Sequence, residues 1–222
     1  MEKICPAPWN LSGKGYILLY KFTESFVEEK ANLPEFLKGN FAGGFGALML
    51  VDYSSSDAGP YGELLLIPGK FIHQGKRLNT ISKIYVSTMA SVENGRRNWG
   101  IPKELAEFSF QSMGPHSEKV CIFSEESTIA EFTLDSGKLS FPVNTKLLPF
   151  PLVQYHEGKY YYTTFQGSGT GKFAKLKDIR INPQLFPDIS GFKPILAIKV
   201  EPFNITFPVA TIESPSDKQI QR

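Results

Sequence analysis

A surplus of charge of either sign is missing from this chain. Its 24 Lys+Arg are offset by 22 Asp+Glu, leaving a formal +2 over 222 residues. A nucleic-acid-binding face concentrates basic side chains, and this balance gives that function no support. Thiols are scarce as well, with Cys5 and Cys121 the only cysteines. Two cannot build a disulfide framework or a metal set by themselves, and they read as buried thiols of a reducing cytoplasm. The three histidines, His73, His116 and His156, are far apart and form no i,i+4 pair, so no metal site is expected. Mean hydropathy is −0.16 and no apolar run reaches membrane-spanning length, which argues against a spanning helix. The opening Met1-Glu2-Lys3-Ile4-Cys5-Pro6-Ala7-Pro8 carries no apolar core, so a secretory signal is not expected.

Aromatic residues are abundant: 18 Phe and 9 Tyr, beside 19 Gly and 16 Pro. That mixture favours short strands joined by tight turns over long helices. Strand-like runs fall at residues 16–22, 45–53, 63–67, 70–73, 82–87, 107–110, 120–123, 129–134, 160–165, 173–181 and 195–200. No fixed period links them, which argues against a propeller or solenoid. Helix is expected only at 23–30, capped by Thr23 with Phe26 and Val27 inward, and as a single turn at 102–106 opened by Pro102. No linker divides the chain. The expected architecture is mainly β: one antiparallel domain over 1–222, closed or wrapped so that few edges remain, with 214–222 as a frayed tail.

Several motifs fail on inspection. Gln166-Gly167-Ser168-Gly169-Thr170-Gly171-Lys172-Phe173 suggests a phosphate loop, but Gln166 stands in place of its first glycine and Phe173 in place of its hydroxyl. A flexible hairpin loop is the better reading. No G-x-S-x-G precedes a helix, so a serine nucleophile has no elbow. The informative stretch runs from Asn94 to Phe108, where Lys103 follows Pro102 among Trp99, Ile101, Leu105 and Phe108. Most lysines are solvated surface groups. Apolar surroundings, in contrast, disfavour the ammonium and favour the nucleophilic amine. The difference is large, because an ordinary lysine with a pKa of about 10.4 is neutral in only about one molecule per 2,500 at pH 7.

Gly95-Arg96, five further residues and then Pro102-Lys103 resemble the signature of the acetoacetate decarboxylase superfamily, whose lysine after proline forms a Schiff base. Gly59-Pro60-Tyr61-Gly62-Glu63, an apolar strand and Pro68-Gly69 resemble the family segment that carries an acidic active-site residue at the place of Glu63. The resemblance implies a cone-like antiparallel β-barrel with Lys103 inside, attacking the ketone of a small oxo acid. Glu63 would shuttle protons or orient substrate, Arg96 would support the loop or bind a carboxylate, and Tyr61, Trp99 and Lys14 would line or support the site. It implies no metal or organic cofactor, a small-molecule oxo-acid substrate and a homo-oligomer. Glu104 stands where the decarboxylases proper have a second lysine, and Leu48 where they have a second pocket carboxylate. Three readings remain open: an acetoacetate decarboxylase-like lyase, an aldolase-dehydratase on another oxo acid, and a non-catalytic barrel holding a small apolar ligand.

Overall fold

Turn-forming glycines and prolines cut the chain into β-prone segments, and most of these pair. The computed structural model describes residues 4–125, 127–147 and 149–215. Its strands are β1 (Trp9–Tyr20), β2 (Gly46–Ser55), β3 (Tyr61–Ile67), β4 (Lys70–His73), β5 (Lys76–Asn79), β6 (Lys83–Val86), β7 (Lys103–Leu105) and β8 (Glu107–Gly114). They continue with β9 (Ser117–Ser124), β10 (Ser127–Asn144), β11 (Pro151–His156), β12 (Lys159–Thr164), β13 (Gln166–Ile181), β14 (Leu196–Phe207) and β15 (Thr211–Glu213). Two helices accompany them, α1 (Glu24–Lys30) and α2 (Met89–Trp99). Of the tail expected to fray, residues 214 and 215 are coil and 216–222 lie outside the described residues, as do residues 1–3 of the opening segment.

Ten strands form one sheet in the order β7-β6-β3-β2-β1-β14-β13-β10-β9-β8. Its two edge strands, β7 and β8, are separated in sequence by Ala106 alone, so the sheet has to curl until its ends approach each other. The Phe108 side chain of β8 accordingly packs onto Gly62 of β3, where a Cβ would lie 2.7 Å from the ring. The result is a mainly β half-barrel, linked across its edges by the chain and not by a ring of hydrogen bonds. A second sheet, β15-β12-β11-β5-β4, packs beside it. The pairing is antiparallel except at β6 with β7 and a single β11–β5 contact. Alternate side chains of the large sheet feed two apolar clusters. One is built around Tyr20, Leu48, Leu50, Leu66 and Phe132, the other around Trp9, Val51, Leu65, Ile84 and Trp99.

Three local expectations change. Residues 103–105 are a strand and not a helical turn, because β6 offers a parallel edge that satisfies their backbone groups. The glycine-rich run at 166–172 is strand as well, and glycine serves there for close approach: at Gly169 a Cβ would lie 2.6 Å from the Pro202 carbonyl oxygen of β14. Helix α2 had no clear sequence signal, since Asn94, Gly95 and Asn98 are poor helix formers. Its ends are nevertheless well made. The Thr88 hydroxyl accepts from Ser91 N–H, and Gly100, at φ 63°, closes the helix with its N–H on the Arg96 carbonyl. Helix α1 matches expectation, with Thr23 capping and Phe26 and Val27 buried.

Candidate active site

The β6–α2–β7 crossover delivers Lys103 to the face of the sheet that carries Val51, Leu65 and Ile84. In the β6 ladder Ile84 pairs with Lys103 on one side and with Leu65 on the other. Glu63 lies two positions from Leu65 on β3 and therefore on the same face. Neighbouring strands are about 4.8 Å apart, so the Lys103 and Glu63 side chains, reaching toward each other, together span the two intervals between β7 and β3. The Lys103 ammonium nitrogen, in a side chain 4% exposed, ends 3.1 Å from Glu63 Oε2, whose side chain is 6% exposed. It also donates to Ser91 Oγ at 3.0 Å and to Tyr61 OH at 3.4 Å. Tyr53, opposite Tyr61 across the β2–β3 ladder, donates its phenol proton to Glu63 Oε1 at 3.1 Å. Burial first, then the Glu63 carboxylate, pushes both phenols well above their ordinary pKa, so they remain proton donors.

The stem is held as closely as the tip. An added Cβ at Gly95 on α2 would lie 2.6 Å from Lys103 Cδ and 2.8 Å from Cε, so only glycine leaves the lysine stem where it is. Arg96, one residue on, grips the Lys103 carbonyl through Nε at 3.0 Å and Nη2 at 2.6 Å. The two ring faces nearest the ammonium belong to Tyr61, at 5.0 Å, and Trp9, at 5.9 Å. Trp9 stands edge-to-face with Trp99 at 5.0 Å, and each indole N–H is already committed, to the Cys5 and Pro208 carbonyls. Beyond Lys103 opens a cavity of about 100 Å³ lined chiefly by aliphatic and aromatic side chains.

Lys103, Glu63, Tyr61 and Trp99 are thus brought to one cavity, and Arg96 stands behind it as backbone support. Lys14 is not. It points to the other side of β1, paired with Glu118 at 2.7 Å and Asp52 at 3.8 Å. Burial opposes its charge, but the Glu118 hydrogen bond and the carboxylates of Glu118, Asp52 and Glu201 outweigh that and raise its pKa. Leu48 is also turned away, into the other core, while Met49, Val51 and Tyr53 are the β2 residues at the cavity. Glu104 alternates to the face opposite Lys103 and pairs with Lys83 at 2.6 Å. Sequence reasoning missed Trp9, Tyr53 and Ser91. For Tyr53 the signal was available, two residues beyond Val51 on a recognisable strand; Trp9 and Ser91 sit on elements whose extent was not foreseen.

The sequence model of the family described as acetoacetate decarboxylase (ADC) matches residues 4–171. The chain belongs to the acetoacetate decarboxylase family. Solved structures carry the same fold at low identity. Acetoacetate decarboxylase from Legionella pneumophila superposes with a TM-score of 0.71 at 15% identity, covering 94% of this chain and 88% of that one. The enduracididine biosynthesis enzyme MppR, complexed with pyruvate, gives 0.64 at 14% identity, with 96% and 92% covered. An acetoacetate decarboxylase-like enzyme from Sphingomonas wittichii RW1 gives 0.63 at 11% identity, with 95% and 94% covered. No curated protein sequence matches the chain. Within the acetoacetate decarboxylase family fold, Lys103 and Glu63 here form a buried ion pair at the wall of an apolar cavity.

Proposed function

We propose that the protein is a Schiff-base lyase that decarboxylates a small 3-oxo acid through Lys103. The observation that carries this reading is the buried Lys103 nitrogen, within hydrogen-bond reach of Glu63, Ser91 and Tyr61 at the cavity wall. Glu63 accepts a proton from the ammonium, and the freed amine attacks the ketone carbon. The carbinolamine loses water, its oxygen leaving with a proton returned by Glu63, and a cationic iminium forms. The bond between C1 and C2 then breaks, its electron pair enters the C2–C3 bond as the iminium π pair moves to nitrogen, and CO₂ departs. Protonation of the enamine at C2 and hydrolysis release the ketone and restore the lysine. The Tyr61 and Trp9 ring faces attract whichever nitrogen cation is present, each by about 0.5–2 kcal/mol. Tyr53 fixes the other oxygen of Glu63, which leaves Oε2 aimed at the reacting nitrogen.

A second reading shares every step up to the iminium. MppR has been solved with the condensation product of pyruvate and imidazole 4-carboxaldehyde, and the same lysine could support carbon–carbon bond formation here. Borohydride reduction in the presence of acetoacetate or pyruvate, followed by peptide mapping, tests the shared step. Added mass on the Lys103 peptide, absent from Lys103→Arg, is the expected result; labelling elsewhere overturns the assignment. CO₂ release then separates the decarboxylase from the condensing enzyme.

A further inference from the structure

The cavity wall restricts what the oxo acid carries beyond its ketone. Among the described residues, Glu63 and Lys103 are the two charged side chains that line the cavity, and they are committed to each other at 3.1 Å. Arg96, the nearest cation in sequence, is turned onto the Lys103 carbonyl. Three polar hydrogens of the wall are spent as well. Both indole N–H groups bond to backbone carbonyls, and the Tyr53 hydroxyl bonds to Glu63. Away from Lys103 the lining is mainly Leu65, Ile84, Val143, Val200, Phe203 and Ile205, with the Thr145 and Ser168 hydroxyls among them.

A second carboxylate would lose its water in such a cavity and gain no uncommitted cation from the lining in exchange. An apolar group would lose nothing and would release ordered water. The volume, about 100 Å³, is somewhat below the roughly 150 Å³ of a dry cavity that accepts benzene. That suits a short alkyl substituent better than a long fatty tail.

Resting on the Schiff-base reading above, we propose that the substrate is a monocarboxylic 3-oxo acid with a short apolar substituent in place of the terminal methyl of acetoacetate. The reactive end meets Lys103 and Glu63, and the substituent lies along the aliphatic wall formed by β6, β14 and β10. Specificity therefore comes from apolar burial, at up to about fourfold in kcat/KM for each methylene that is buried.

The test is a substrate series on the wild-type protein: acetoacetate, 3-oxohexanoate, 3-oxododecanoate and the dicarboxylate 3-oxoglutarate. Each is measured by CO₂ release and by borohydride trapping at Lys103. Expected are a kcat/KM at least tenfold higher for 3-oxohexanoate than for acetoacetate, a fall at 3-oxododecanoate, and trapping of 3-oxoglutarate at least a hundredfold slower than acetoacetate. Val143→Phe, which narrows the far wall, should lower the ratio of 3-oxohexanoate to acetoacetate turnover at least fivefold. Adducts at Lys103 that form with 3-oxoglutarate as readily as with 3-oxohexanoate overturn the proposed substrate class and leave the Schiff base intact. Absence of any Lys103 adduct across the series overturns both.

Discussion

Gly95→Ala separates the placement of the reactive nitrogen from the stability of the fold. The new methyl would lie 2.6 Å from Lys103 Cδ and 2.8 Å from Cε, about 1 Å inside ordinary contact. These atoms belong to the outer part of a flexible stem, so the stem yields and the helix stays where it is. Alanine is favoured over glycine within a helix by about 1 kcal/mol, while crowding of a packed site costs about 1–3 kcal/mol. The net change is a loss of about 0–2 kcal/mol, a shift of a few degrees in a chain of this size. The nitrogen, however, moves by about 1 Å out of its contacts with Glu63 and Ser91, and a displacement of that size can cost about a hundredfold in rate. The assay pairs a thermal melt with the rate of borohydride trapping by acetoacetate, read as mass on the Lys103 peptide. A melt within about 8 °C of wild type with trapping slowed at least thirtyfold is expected. Trapping within threefold of wild type would refute the reasoning, since the glycine would then not govern where the amine sits.

Other perturbations address neighbouring groups. Glu63→Gln keeps the shape and removes the proton acceptor, so turnover of any active oxo acid should fall about a hundredfold or more, and unchanged kinetics would return Glu63 to a structural role. Glu104→Lys sets a second cation beside Lys83, on the face away from the cavity; a melt lowered by about 2–4 °C with trapping at Lys103 within threefold is expected, and a tenfold change in trapping would contradict that separation. Burial among Phe36, Tyr160 and Tyr162 lowers the pKa of His73 below its usual value. The unfolded chain then binds the proton more readily, so stability holds above about pH 6.5 and declines as pH falls through the folded pKa. Urea melts at pH 7.5 and 5.5 should show a smaller loss for His73→Asn than for wild type, and equal losses would exclude this histidine as the cause.

The parts of the fold that could be read from the sequence are those where burial is one-sided. Strands such as β3, β6 and β9 announce themselves by apolar runs or alternation, and α1 by its Thr23 cap and inward pair. What could not be read depends on partners distant in the chain. Residues 103–105 become strand because β6 lies alongside, and the glycines of β13 look like a loop until β14 is placed 2.6 Å from a would-be Cβ. The candidate site divides the same way. Lys103 and Glu63 were found through local motifs, and Tyr61 and Trp99 came with them. Lys14 was misplaced because the side a β1 residue faces depends on register, which shifts between Ser12 and Gly13 against β2 and between Gly13 and Gly15 against β14.

The order in which the chain contributes to its cavity has a practical consequence. Trp9, Tyr53, Tyr61, Glu63, Ser91 and Lys103, every group within reach of the reacting nitrogen, are supplied by the first 103 residues. The wall facing them draws on Val143, Phe165, Ser168, Val200 and Ile205, all from the second half. The chemistry is therefore written on the first half of the chain, while much of the fit is written on the second, the two joined where β1 pairs with β14. A recombination library that exchanges residues 143–207 with those of relatives sharing this fold would vary the accepted substituent as a block and carry the lysine cluster through unchanged. Such a library explores selectivity without sampling the substitutions most apt to abolish activity.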